Sequence, residues 1–456
     1  MVKQTHVLVL PWPAQGHVMP MMQVSQKIVD HGVQVTFAIT ESLHKQLLAN
    51  LSSSSKEGVR NDLNRIRIVS RPEGLEYQNQ EKASDYLEEL VMKINGGNNG
   101  EEKVSCVIAD AGVYWAYEPA KKMGLKIAMF CPTSLAVTAM TLHIPKLIEA
   151  GIIDENGTPL KQEMIKISPA LPEINIDDFL WIRTYDQGMG KLLFHMGFSI
   201  SKSIKLADWV LCNSFDKLEP AACDILPYIR TIGPLVGSSE VNQTMGQFWA
   251  EDSTCLTWLD SRPVNSVIYI AFGSITTLNR DQFSELVHGL DLTGRQFLLV
   301  VRSDMTDATV AYPDGFTEKG KIVNWSPQRE VLAHSSVACF MTHCGWNSTM
   351  DGLRFGIPFL CWPYFADQIH NTTYICDVWK TGLRLNKDGN GIVSRNEIKS
   401  RVEELIADEG IQTRVAELKK LSMESASEGG SSSKNFFNFV EALKCQGKCG
   451  VTAAPK

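Results

Sequence analysis

No stretch of this chain carries a block of like charge. Its 456 residues have a formal charge of −7, and neither sign gathers into a tail or a basic face. Binding a nucleic-acid backbone needs a concentrated positive surface, so nucleic acid is not an expected partner. Long apolar runs are missing as well. The uncharged run 127–145 is broken by Pro132, His143 and several hydroxyl side chains, so stable membrane insertion is not expected. HVLVL near the N-terminus is far shorter than a signal-peptide core, and Pro11 and Pro13 interrupt it at once.

Familiar signatures of cofactor and nucleophile chemistry are also absent. After the first strand, where a nicotinamide-binding chain would place G-x-G-x-x-G, the segment PWPAQGH has one glycine. Neither G-x-x-x-x-G-K-[ST] nor G-x-S-x-G occurs, which removes P-loop and serine-hydrolase readings. The eleven cysteines do not form a disulfide framework, because most sit inside apolar runs, as Cys106, Cys131, Cys212, Cys339 and Cys361 do. Buried free thiols of a reducing compartment explain them better. Cys445 and Cys449 have no second Cys/His pair nearby to complete a metal site. A cytoplasmic location is expected, and it also leaves the sequons at Asn324 and Asn347 without glycans.

What is present is an alternation. Short β-branched runs (HVLVL, VQVTFAIT, IRIVS, VSCVIAD, KIAMFCP, WVLCNS) are separated by helix-like segments at 18–30, 85–93, 115–123 and 134–149. Alternation of this kind predicts βαβ units and a parallel sheet covered on both faces. A second series follows, with NSVIYIAFGS, a helix at 280–291, QFLLVVR, GKIVNW, SVACFMTH and IPFLCWP. The chain is too long for one core, so two doubly wound α/β domains are expected. Their boundaries are 1–235 for the first and 254–433 for the second, joined by a linker at 236–253. Amphipathic helices at 394–407, 412–423 and 434–443 close the chain.

One stretch, 325–368, organises the rest: WSPQREVLAHSSVACFMTHCGWNSTMDGLRFGIPFLCWPYFADQ. SSVACFMTHC suits a buried strand, Cys344-Gly345 turns the chain, and 349–355 has helical spacing stopped by Gly356 and Pro358. A strand, a tight turn and a helix start put His343, Asn347 and Ser348 around unpaired backbone N–H groups. That is an anion site, and phosphate is its natural guest.

This stretch resembles the signature box of plant UDP-dependent glycosyltransferases that act on small secondary metabolites, the plant members of glycosyltransferase family 1. The match runs W-x-P-Q, then His334, H-x-G-W-N-S, G-x-P and D-Q, and PWPAQGH at 11–17 extends it along the chain. The resemblance implies the GT-B fold, in which two Rossmann-like domains face a cleft and the last helix, here in 434–456, returns to the first domain. It implies that Trp325 stacks on uracil, that the Ser326 backbone pairs with the base edge and that Gln328 reaches the ribose. It assigns the diphosphate to His343, Asn347, Ser348, the backbone of Trp346 and Ser274. Asp351 stands where the family has Glu on the ribose hydroxyls, one methylene shorter. Asp367 and Gln368 are the sugar-binding pair, and Gln there goes with glucose. His334 reads better as a structural histidine.

His17 follows the first strand and Asp110 ends another, and in an open parallel sheet both fall on the carboxyl rim. By pattern alone they read first as a helix-start residue and a strand-end cap. Through the resemblance, His17 becomes the general base for the acceptor hydroxyl, and Asp110 the carboxylate that balances its imidazolium. No D-x-D motif occurs, so a metal-bridged diphosphate clamp is not supported. The helix end and His343 are expected to neutralise the leaving UDP, with no metal or other cofactor. The expected protein is a monomeric, inverting UDP-glucose-dependent O-glucosyltransferase of a small lipophilic acceptor such as a flavonoid, phenylpropanoid or terpenoid. Trp12, Trp115, Met140, Trp181, Phe194 and Phe198 are candidates for the acceptor pocket, with core packing as the plainer reading. Competing readings are another UDP-sugar or a non-oxygen acceptor, a nucleotide-sugar epimerase, and a non-catalytic UDP-sugar sensor.

Overall fold

The computed structural model describes residues 5–53, 65–75, 80–96, 103–184, 186–235, 249–303, 305 and 311–445. It divides into two compact units, one of Met1–Phe248 with Glu424–Lys456 and the other of Trp249–Met423. Most of the expected linker lies outside the described residues, but Trp249 onward belongs with the second unit. The crossing back falls inside the helix Glu409–Ala426, about ten residues before the boundary expected at 434.

Within the first unit the strands are β1 (His6–Leu10), β2 (Gln34–Thr40), β3 (Arg67–Arg71), β4 (Val104–Asp110) and β5 (Lys126–Cys131). A small antiparallel pair follows, β6 (Met164–Ile165) with β7 (Ile174–Asn175), and then β8 (Trp209–Cys212) and β9 (Ile229–Thr231). Seven of them form one sheet in the order β3-β2-β1-β4-β5-β8-β9, and every pairing in it is parallel. β1 is buried along its whole length, as a strand with helices on both faces must be. Helix Gln15–Asp30 buries Val18, Met21, Met22 and Ile28, a helical spacing that places one stripe on the sheet. Leu8, Leu10, Val107, Ala109 and Met129 share one core with Leu87, Leu90, Trp115 and Tyr117. The C-terminal helix Ser431–Lys444 also packs here. Phe436 meets the His31 ring edge-on, Phe439 meets Trp209, and Asn435 Nδ2 donates to the Thr231 carbonyl at 2.9 Å.

The second unit repeats the plan with β10 (Val267–Ala271), β11 (Gln296–Val300), β12 (Gly320–Val323), β13 (Val337–Thr342), β14 (Phe359–Cys361) and β15 (Gly382–Arg384). Their order is β12-β11-β10-β13-β14-β15, again wholly parallel. Helix Arg280–Thr293 begins where the Asn279 side chain accepts from Gln282 N, and it ends at Gly294 in the left-handed region. Helix Arg395–Ala407 is capped likewise by Ser394. The two helices supply Phe283, Leu286 and Leu290, and Ile398, Val402 and Leu405, to a core shared with Ile268, Leu299 and Met341. In each sheet the strand order reverses once, between β1 and β4 and between β10 and β13. Open parallel sheets bind ligands outside the carboxyl ends at such a reversal.

The contact between these two helices is close enough to test. A Cβ added at Gly289 would lie 2.9 Å from Ile398 Cβ and 3.0 Å from two more of its carbons. Gly289→Ala gains roughly 1 kcal/mol of helix propensity, but overpacking costs ~1–3 kcal/mol. The clash wins because the opposing Cβ is fixed to backbone. Gly289→Ala should lower the unfolding temperature in a thermal melt, and Ile398→Val in the same chain should restore part of it.

Candidate active site

At the reversal of the first sheet, β1 runs parallel to β4 with Leu10 beside Ala109. Helix Gln15–Asp30 starts soon after β1, so His17 lies in its first turn, three residues earlier than the expected start at 18. Asp110 ends β4 and is fully buried. His17 Nδ1 lies 2.8 Å from Asp110 Oδ2, and Asp110 Oδ1 accepts from Gly112 N at 2.8 Å. A buried carboxylate is satisfied best by an N–H donor, so Nδ1 carries the proton and the lone pair of the neutral ring sits on Nε2. The His17 side chain keeps 27% of its exposure while that of Asp110 keeps none. Proton-accepting nitrogen outside and carboxylate behind is the arrangement of a general base.

At the reversal of the second sheet, Ser274 follows β10 and His343 follows β13. Cys344 then takes a left-handed conformation (φ 64°). This turn is held by Cys344 N donating to Thr342 Oγ1 at 3.2 Å and by Asn371 Nδ2 donating to the Cys344 carbonyl at 2.9 Å. Helix Trp346–Phe355 opens next, with Gly345 at its N-cap and no acidic residue in its first turn. Gly345 has no side chain to accept from the leading N–H groups, which suits them to an anion. Asn347 and Ser348 stand in that first turn, and Trp346 is buried.

His343 is packed between two glycines. A Cβ at Gly345 would lie 2.5 Å from its Nε2, and one at Gly273 would lie 2.7 Å away. Although the ring keeps partial exposure, dense surroundings lower its pKa to about 4, with the Arg302 charge acting in the same direction and a hydrogen bond to Ala271 opposing it. In the ligand-free chain the ring is therefore neutral near pH 7. A neutral imidazole offers hydrogen bonding without net charge, and positive potential comes from the helix end.

The rest of the box forms a network. Ser326 is buried, with its hydroxyl 2.8 Å from Tyr269 Oη. Trp325 stacks against Trp249 at 5.7 Å between ring centroids, and its carbonyl accepts from Asp252 N at 2.8 Å. Both partners lie in the segment 236–253 expected to be linker, where no local pattern marks them. Gln328 Nε2 donates to Asp351 Oδ2 at 2.9 Å, and Arg329 Nε donates to Asp351 Oδ1 at 2.9 Å. Ser348 Oγ lies 3.4 Å from Gln328 Oε1. Gln368 Oε1 accepts from Tyr364 N and Phe365 N at 2.9 and 3.2 Å, which leaves Nε2 as the end that can donate to a ligand. Asp367 Oδ2 accepts from Asn371 Nδ2 at 2.9 Å, so Asn371 ties Asp367 to the Cys344 turn. The spacing D-Q-x-x-N, one helical turn, was the available signal for Asn371. His334 bonds Ser336 and Asp260 and is structural. Among the described residues no cluster of three or more His, Cys, Asp or Glu side chains is arranged to hold a metal ion. No described helix is long and apolar enough to cross a membrane.

The depressed pKa of His343 has a consequence for the ligand-free chain. Between pH 6.5 and about 4 the unfolded state takes up a proton on this ring that the folded state refuses. Stability therefore rises with pH through that window and is lost on acidification. His343→Asn should flatten this part of the dependence of unfolding temperature on pH, as read by melts at half-unit intervals. An unchanged slope would mean that His343 titrates normally in the folded chain.

Comparison with known proteins agrees with this architecture. The family model described as UDP-glucoronosyl and UDP-glucosyl transferase matches residues 225–427. UDP-glycosyltransferase 83A1 of Arabidopsis thaliana is 38% identical over 97% of this chain and 97% of its own. Linamarin synthase 1 of Manihot esculenta is 31% identical over 97% of this chain and 98% of its own. Among solved structures, UGT2 of Phytolacca americana with UDP-2fluoro-glucose and pterostilbene superposes with a TM-score of 0.78 at 25% identity, covering 97% of this chain and 100% of that one. Os79 from O. sativa in complex with UDP gives 0.77 at 25% identity, covering 96% and 100%. With two doubly wound units of the GT-B kind and such relatives along nearly its whole length, the chain belongs to the plant UDP-glycosyltransferases of glycosyltransferase family 1, enzymes that glycosylate small molecules.

Proposed function

We propose that this enzyme is an inverting O-glucosyltransferase that moves glucose from UDP-glucose to a hydroxyl of a small lipophilic plant metabolite. The observation that carries the reading is the 2.8 Å pair of His17 Nδ1 with the buried Asp110 carboxylate. His17 Nε2 takes the proton of the acceptor hydroxyl, and that oxygen attacks the anomeric carbon as the bond to the UDP oxygen breaks. Single displacement inverts the centre and gives a β-glucoside and UDP. Asp110 stabilises the imidazolium formed on the way. The donor lies on the second unit. Trp325 and Ser326 take the base, Gln328 and Asp351 the ribose, and Ser274, His343, Trp346, Asn347 and Ser348 the diphosphate. Asp367 and Gln368 take the sugar. The helix N-terminus and its hydrogen-bond donors stabilise the departing diphosphate, and the mechanism draws on no metal. A flavonoid, phenylpropanoid or terpenoid alcohol is the proposed acceptor class.

The reading is tested by incubating the enzyme with UDP-glucose and a panel of plant phenols and terpenoid alcohols, then determining the anomeric configuration of any product. His17→Ala should lower turnover on an aliphatic alcohol by ~10²-fold or more while leaving UDP affinity nearly unchanged. The loss should shrink for acidic phenols, which need less help to deprotonate. Wild-type turnover by His17→Ala on the alcohol would remove His17 from the mechanism.

Donor choice rests on the pair at the end of the box. Asp367 can only accept from sugar hydroxyls when ionised, and Gln368, its Oε1 engaged by two backbone N–H groups, can only donate through Nε2. An axial C4 hydroxyl would leave one of these groups unpaired, at ~1–3 kcal/mol. UDP-glucose should therefore exceed UDP-galactose by about tenfold to a hundredfold in kcat/KM, and Gln368→His should erode that ratio mainly by losing glucose activity. Equal use of both donors by the wild type would overturn the assignment to glucose.

A further inference from the structure

Cys344 and Ala366 both take left-handed backbone, with φ 64° and 54°. That conformation is unfavourable for a residue with a Cβ and persists only where the surroundings hold it. The turn at Cys344 leads into helix Trp346–Phe355, and the turn at Ala366 leads through Asp367 into the short helix Gln368–Thr373. One side chain reaches both. Asn371 lies in Gln368–Thr373, just past the signature stretch, and is 1% exposed. Its Nδ2 donates to the Cys344 carbonyl and to Asp367 Oδ2, each at 2.9 Å. Its backbone N donates to the Asp367 carbonyl at 2.9 Å, so carboxylate and amide stand one helical turn apart on the same face.

Residue type decides what this contact can do. A primary amide carries two N–H donors on one nitrogen, so it serves two acceptors at once without adding charge. A hydroxyl has one donor, and an ionised carboxylate has none and would repel Asp367. Asn371 Oδ1 is buried and finds no hydrogen-bond partner among the described residues. An unpaired buried acceptor is a cost, so what the amide contributes is its pair of donors. Asp367 is partly exposed, and its carboxylate could otherwise rotate; donation to Oδ2 selects one orientation.

We propose that Asn371 is a positioning residue for the sugar of the donor: its two donors set the Asp367 carboxylate against the Cys344 turn, so that the group meeting the sugar and the turn leading to the diphosphate keep one fixed spacing. This rests on the reading of Asp367 as a sugar ligand. Asn371 acts through Asp367 and the turn, not by touching the donor. UDP has no sugar and feels only the tie to Cys344, whereas UDP-glucose feels both ties. Asp367 has other interactions as well, and a double-mutant cycle isolates the share that passes through Asn371.

The test is calorimetric titration of the full chain with UDP and with UDP-glucose, without acceptor, for the wild type, Asn371→Leu, Asp367→Ala and the double variant. Asn371→Leu roughly keeps the volume and removes both donors. It should weaken UDP-glucose about tenfold more than UDP, the worth of a hydrogen bond to a charged group. In the Asp367→Ala background the same substitution should weaken the two ligands by factors that agree within about twofold. Where Asn371→Leu does not fold by circular dichroism, Asn371→Ser, with a single hydroxyl donor, goes through the same cycle and decides in its place. Equal losses for UDP and UDP-glucose on changing Asn371 alone, with Asp367→Ala selective for UDP-glucose, would reduce Asn371 to a general brace and overturn the proposal while leaving the sugar site standing. A loss specific to UDP-glucose that persists in the Asp367→Ala background would overturn it too, because Asn371 would then act by another route. Equal weakening of both ligands by Asp367→Ala would overturn the reading of Asp367 as a sugar ligand and the role of Asn371 with it.

Discussion

Each sheet of this enzyme grows outward from its first strand in both directions, and its chemistry depends on that reversal. Chain leaving β1 winds to one side through β2 and β3, while β4 lies on the other side. The loops above β1 and β4 diverge and leave their carboxyl ends open to a ligand. His17 comes from one of these loops, and Asp110 from the end of the other strand. The second sheet repeats the arrangement with Ser274 above β10 and His343 above β13. Residues far apart in sequence become neighbours because strand order, not side-chain affinity, carries them to one rim.

Given that placement, environment makes two histidines do opposite things. His17 has a buried carboxylate on one nitrogen, which gives a protonated ring a partner. His343 sits in dense surroundings, is pressed by glycine backbone on two sides, and lies near a guanidinium, so its protonated form is disfavoured. The first arrangement suits a residue that must accept a proton during turnover. The second suits one that lends hydrogen bonding without net charge beside a helix N-terminus.

How much of this was legible in the sequence follows from what each element depends on. The long strands were plain because β-branched runs such as VSCVIAD bury every residue, and so was the strand–turn–helix at 337–355. Strands β9 and β15 were missed. Each has three residues, and Arg230 and Arg384 break the apolar pattern that marks a buried strand. The start of helix Gln15–Asp30 was read three residues late, because its N-cap Ala14 carries no capping side chain and so gives no start signal. Partners such as Trp249 with Trp325, or Arg302 with the Gly273 turn, depend on tertiary proximity that no local pattern encodes. The neutrality of His343 was invisible for the same reason, since burial and a neighbour's charge set it.

The substitution at 351 shows how such proximity changes the meaning of a motif. A carboxylate one methylene shorter than the family's Glu would seem simply to fall short of the ribose. Here it does not hang free. Gln328 and Arg329 open the helix Gln328–Ala333, and each donates to one oxygen of Asp351. The side chain of Asp351 keeps 10% exposure. Because Arg329 fixes the carboxylate, ordering it adds little to the cost of ligand binding. Because both oxygens already accept a donor, any hydrogen bond that it added to a ribose hydroxyl would be weaker than one to an unshared carboxylate. If Asp351 meets a ribose hydroxyl, shorter reach and firmer positioning would oppose each other, with Arg329, one residue beyond Gln328, weighing on the side of positioning.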